Sequence, residues 1–177
     1  NFGDYFPSSK DAEEAEYMHA LCLYKDSPKF SLEQTNTIKA MEAMQSYINM
    51  HPDSKRLLEA NAMIDEMRQK LEMKDASAAK LYYNIGQYKA SSIAYKSVIQ
   101  AYPESASADY YQFMILKSLY NFAKASIVEK QEERFINTIS AYNDLKESYP
   151  KSKYIEEANT YHTQANENLK KLHNEHQ

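Results

Sequence analysis

Four of the five prolines in this 177-residue chain stand in one recurring local setting, and that recurrence limits the possible folds more than any other feature. The settings are Tyr5-Phe6-Pro7-Ser8-Ser9, Met50-His51-Pro52-Asp53-Ser54, Ala101-Tyr102-Pro103-Glu104-Ser105 and Ser148-Tyr149-Pro150-Lys151-Ser152. Each reads ring, proline, any residue, serine, and the prolines are 45, 51 and 47 residues apart. Proline ends a helix because it lacks an N–H and its ring clashes with the preceding turn. A serine two residues later can accept from the free N–H groups that open the next helix. A joint of this kind at intervals of 45 to 51 residues is the signature of a repeat built from helix pairs.

The residues before each joint repeat as well. Tyr88, Tyr95, Val98 and Tyr102 recur as Phe135, Tyr142, Leu145 and Tyr149, and more loosely as Thr37, Met44, Tyr47 and His51. Steps of seven, three and four place these side chains on one face of a helix. Phe2 and Phe6 fill the last two slots of a unit whose start is missing, so the chain is expected to begin in mid-repeat, with something upstream removed and the two rings left without their companion helix.

Composition agrees with helices alone. Two glycines leave little for turns, and two valines and five threonines starve β-sheet of its preferred residues. No run of apolar residues is long enough to cross a bilayer. The net charge of −4 is spread along the chain without a basic stripe, which argues against nucleic acid. The single cysteine, Cys22, excludes an internal disulfide and leaves the compartment open.

The periodicity predicts helices over about Ser9 to Lys25, Leu32 to Asn49, Ser54 to Ile85, Tyr88 to Ala101, Ser105 to Val128, Phe135 to Tyr149 and Ser152 to Leu172. The first is expected to bury Ala12, Ala15, Met18 and Cys22, the last of these as a structural thiol. Ser54 to Ile85 holds neither glycine nor proline, and Leu57, Ile64, Leu71, Ala78 and Ile85 fall every seven residues, with Ala60, Met67 and Leu81 between them. Only Lys74 breaks the second row, so one long helix is expected, closed by Gly86. The expectation is an all-α chain, a superhelical stack of helix pairs forming a single domain over 1–177. Its parts are the end of a truncated repeat at 1–7, units at about 8–52, 53–103 and 104–150, and a capping helix at 151–172.

The stretch Ala78-Ala79 … Tyr82 … Gly86-Gln87-Tyr88 … Tyr95 … Val98 … Pro103 resembles a tetratricopeptide unit, with Ser91 in place of the usual small alanine. The order of segments resembles the BamD family of periplasmic outer-membrane lipoproteins of the β-barrel assembly machinery. That resemblance rests on the Tyr5 to Ser9 joint, the Pro52-Asp53-Ser54 joint opening a long helix, Ala79-Lys80-Leu81-Tyr82-Tyr83 and Tyr102-Pro103-Glu104-Ser105. It implies a scaffold at the periplasmic face of the outer membrane that docks a barrel-forming assembly protein and receives unfolded outer-membrane polypeptides. The family's first repeat and lipid-bearing cysteine are not in this chain, and Cys22, inside a helix, does not correspond to that anchor. The alternative is a tetratricopeptide adaptor of another envelope or cytoplasmic complex.

No enzyme signature occurs: there is no phosphate-cradling glycine loop, no G-x-S-x-G, no H-E-x-x-H and no C-x-x-C. No metal or cofactor is expected, and the catalytic and metal sites are read as none. His51 and His162 read as packing residues, and His173-Asn174-Glu175-His176 as a polar tail. Tyr82, Tyr95, Tyr102, Tyr142 and Tyr149 match core slots of the repeat. Partner contact is expected where off-stripe residues meet the best-formed repeats, at Lys80, Tyr83 and Gln87 on one element and Tyr110, Met114 and Lys117 on the next.

Overall fold

The computed structural model describes residues 10–175. The fragment at 1–7 with Phe2 and Phe6, the joint around Pro7, and His176 lie outside the described residues. The rest is helical, with seven α-helices among the described residues: α1 (Lys10–Lys25), α2 (Thr35–Met50), α3 (Leu57–Asn84), α4 (Tyr88–Ala101), α5 (Ala108–Lys124), α6 (Val128–Ser148) and α7 (Ile155–Glu175). This is the expected all-α, tetratricopeptide-like architecture.

The three described joints share one backbone conformation. His51, Tyr102 and Tyr149 have φ/ψ of −124°/64°, −130°/64° and −134°/59°. In each, the N–H of that residue bonds the carbonyl four residues back, and the serine N–H bonds the ring residue's carbonyl, at 2.9 to 3.1 Å. The serine Oγ then accepts from the N–H two residues on, as in Arg56 to Ser54 (3.2 Å), Ser107 to Ser105 (3.0 Å) and Tyr154 to Ser152 (3.2 Å). The serine thus orders a turn three residues ahead of the helix rather than sitting at its N-cap. The slots before the joint are buried alike: Met44, Tyr47, Tyr95, Val98, Tyr142 and Leu145 are each 5% exposed or less.

Packing divides the chain into two compact units, Asn1–Lys74 and Asp75–Gln177. The core of the first holds Tyr17 and Ala20 of α1, Ala40, Met44 and Tyr47 of α2, and Ala60 and Met67 of α3. In α1 the buried face is therefore not the expected one. Ala12 is buried, but Ala15, Met18 and Cys22 are exposed, because the Tyr17–Ala20–Tyr24 row carries more apolar surface and takes the interior. Lys74 breaks the apolar row of α3 for a structural reason: its Nζ donates to the carbonyls of Ser31 and Leu32, 3.0 Å each, fastening the α1–α2 connector. Ser54 is tied to α1, where its hydroxyl donates to Glu13 Oε1 at 2.6 Å. That bond is the main reason the Glu13 carboxyl lies below its ordinary pKa.

In the second unit, α3 closes at Gly86, the one described residue with positive φ (78°). Its N–H bonds Tyr83 O and the Gln87 N–H bonds Tyr82 O, which satisfies two carbonyls left free at the helix end. Ser91 is fully buried and donates to Ala79 O at 3.0 Å, while Ser118 donates to Ser91 Oγ at 3.1 Å, so small polar residues hold α3, α4 and α5 close together. Ala78, Leu81, Tyr82 and Ile85, expected in the core, are instead exposed, and Ala79 with half-buried Ala76 and Tyr83 packs inward. A straight helix drifts about 20° per heptad, so a strict seven-residue row does not stay on one face over this length.

Candidate functional site

The second unit presents the one described surface where several of the expected contact residues meet other polar groups. It is formed by the end of α3, by α5 and by α7. Lys117 on α5 is half-buried, and its Nζ lies 3.0 Å from Glu157 Oε1 on α7. The same ammonium stands 5.5 Å from the Phe113 ring centre and 5.8 Å from that of Tyr161, within cation–π reach. One turn further along α5, Asn121 Nδ2 donates to the Tyr83 hydroxyl at 2.9 Å and to Lys117 O at 3.0 Å. Tyr83 in turn meets the edge of Tyr88 at 5.4 Å.

Burial raises the pKa of Tyr83 and Tyr161 above the ordinary tyrosine value and keeps both hydroxyls protonated. Burial is the largest single influence on Lys117 and works against its charge, but the hydrogen bond it donates to Glu157, together with the electrostatic pull of Tyr161, Glu157 and Tyr83, more than offsets it and holds the ammonium above its usual pKa. The result is a fixed positive charge beside a fixed negative one on an aromatic floor. Such a surface offers hydrogen-bonding groups and ring faces side by side. Among the described residues, no three His, Cys, Asp or Glu side chains converge as a metal site would require.

Of the six expected residues, Tyr83 and Lys117 are brought into this network, and Lys80 and Gln87 are exposed nearby in sequence on α3 and at its end. Tyr110 is packed among Tyr95, Tyr111 and Tyr154 at centroid distances of 6.3, 5.9 and 5.5 Å. Met114 is 6% exposed and belongs to the core, so it offers a partner almost no surface. Asn121, Glu157 and Tyr161 were not expected. Asn121 follows Lys117 by four residues, and Glu157 precedes Tyr161 by four, a spacing that places each pair on one helix face. Outside the network, His162 stacks on Tyr142 at 4.2 Å, and His173 pairs with Glu132 at 3.0 Å. No helix of the described residues is long and apolar enough to cross a membrane.

Residues 1–109 match the model of the YfiO family, described as outer membrane lipoprotein. The outer membrane protein assembly factor BamD of Caulobacter vibrioides is 24% identical over 99 residues, which cover 56% of this chain and 32% of that protein. The matched stretch thus spans about a third of that relative's length. The family match takes in Lys80, Tyr83 and Gln87 and ends just before Tyr110, Met114 and Lys117.

Proposed function

Since the chain belongs to the YfiO family of outer membrane lipoproteins, we propose that it is a non-catalytic scaffold subunit of the outer-membrane β-barrel assembly machinery. The family places it at the periplasmic face of the outer membrane. In this reading the repeats from 8 to 150 and the helix after them form one tetratricopeptide domain. Its work is to dock a barrel-forming assembly protein and to receive unfolded outer-membrane polypeptides. The observation that carries the choice of surface is the Tyr83–Asn121–Lys117–Glu157 network, because tyrosine rings on a packed floor are the type of side chain that anchors protein interfaces, and the polar groups around them can fix a partner's orientation. Lys80 on α3 and Gln87 in the turn after it extend this contact surface, and the packed rings around Tyr110 and Met114 support it.

The test is a titration of the soluble periplasmic part of a barrel-forming assembly protein against the Tyr83→Phe, Lys117→Ala double variant. Tyr83→Phe deletes one hydroxyl and keeps the ring that packs on the core, so the fold survives. Binding is expected to weaken by about 2 kcal/mol, with unfolding stability changed by less than about 1 kcal/mol. Unchanged binding with an intact fold would remove this surface from the reading.

A further inference from the structure

Helices α4, α5 and α6 enclose a cleft of about 540 Å³ that shares no residue with the Tyr83–Lys117 network. Its floor is apolar, made by Leu119 and Phe122 of α5. Its walls carry Lys89 and Lys96 from α4 and Lys130 and Arg134 from α6, against two carboxylates, Glu133 and Asp144. In a chain of net charge −4, this is a local excess of positive charge. The three lysines are exposed, and none is paired with a carboxylate among the described residues.

Arg134 is held differently. Its guanidinium lies 4.0 Å from the centre of the Phe122 ring and donates to Ser126 Oγ, whose own hydroxyl donates to Phe122 O. Neither contact neutralises the charge. The guanidinium is therefore fixed in direction and electrostatically unsatisfied, which lowers the ordering cost of meeting an anion. Ile93, 55% exposed, adds an apolar side chain to the wall between the two α4 lysines.

We propose that this cleft is a docking site for an acidic polypeptide segment that alternates carboxylates with apolar side chains, a second partner-binding surface beyond the one assigned above. The complementarity argues for that occupant. Spaced carboxylates can each approach one of the four cations, while apolar side chains cover Leu119, Phe122 and Ile93. A dense polyanion would instead be forced against Glu133 and Asp144 and would leave the floor uncovered.

The probe is a labelled peptide of repeated Glu-Leu-Ser, with a Lys-Leu-Ser peptide as control, titrated into the full chain at low and physiological salt. The Glu peptide is expected to bind and to weaken with salt, and the Lys peptide is not. The Lys96→Glu, Lys130→Glu variant, altered only at exposed positions, should keep its helical spectrum and lose about tenfold or more in affinity for the Glu peptide. Tyr83→Phe with Lys117→Ala should leave that affinity unchanged, which separates this site from the other surface. Equal binding of the two peptides, or indifference to the charge reversal, would overturn the proposal. So would binding of phosphatidylglycerol vesicles through the same lysines without any binding of the peptide, which would assign the cleft to an anionic headgroup.

Discussion

Gly86 ends the longest helix of the chain in a left-handed conformation, φ 78°, and a Cβ placed there would meet nothing within 4 Å. The cost of a side chain at this position is therefore backbone strain alone. Gly86→Ala should lower the stability of the protein by about 1–2 kcal/mol in denaturant unfolding, and an unchanged midpoint would contradict the assigned helix closure. This glycine is legible from sequence because it follows a long helical pattern and precedes a second one. Lys74 is legible only as an interruption of an apolar row, since its role depends on the carbonyls of Ser31 and Leu32 lying beside it in space. The serines of the joints fall between these cases. Their position in the turn can be read from the repeat, but the bonds of Ser54 to Glu13 and of Ser152 to Asp109 (2.7 Å) join residues 41 and 43 positions apart.

Helix α3 runs unbroken from Leu57 to Asn84, as its lack of glycine and proline implies, starting three residues later and ending one residue earlier than the periodicity indicates. Met67 lies in its interior and is fully buried. Met67→Pro should cost about 3 kcal/mol or more, through a lost hydrogen bond and a clash with the preceding turn. Met67→Leu, which keeps volume and helix propensity, should cost less than about 1.5 kcal/mol. Equal losses for the two would mean that α3 is not continuous through this point. The helices themselves are readable because proline, glycine and the seven-three-four spacing mark their limits. Which face they bury is less so. In α1 two competing rows exist, Ala12–Ala15–Met18–Cys22 and Tyr17–Ala20–Tyr24, and the larger rings of the second win the interior. At the end of α3 the drift of a straight helix exposes Leu81, Tyr82 and Ile85.

Taken together, the helices bury several phenols wholly or in part. Burial is the first cause raising the pKa of Tyr17, Tyr47, Tyr83, Tyr95, Tyr120 and Tyr161 above the ordinary value of 10.0. A raised folded-state pKa means stability that is fully present below the unfolded value of about 10 and lost as pH climbs through the folded values. Denaturant midpoints should hold steady up to about pH 9 and fall beyond about pH 10, and Tyr95→Phe should flatten part of that fall. A midpoint unchanged to about pH 11 would contradict the burial of these rings. The fold class and family were legible because the joints and rings recur along the chain. The polar network proposed for contact was only half legible, because Glu157 and Tyr161 come from a helix that reads as a polar cap, and Met114 turns inward where α5 is packed on several sides. Amide hydrogen exchange of the full chain, with and without the soluble periplasmic part of a barrel-forming assembly protein, is the sharpest test of the proposed docking through the end of α3 and α5. Slowed exchange is expected over 80–87 and 117–124 and over the facing turn of α7 around Glu157. Protection confined to other segments, with these amides exchanging at the rate of the free chain, would contradict it.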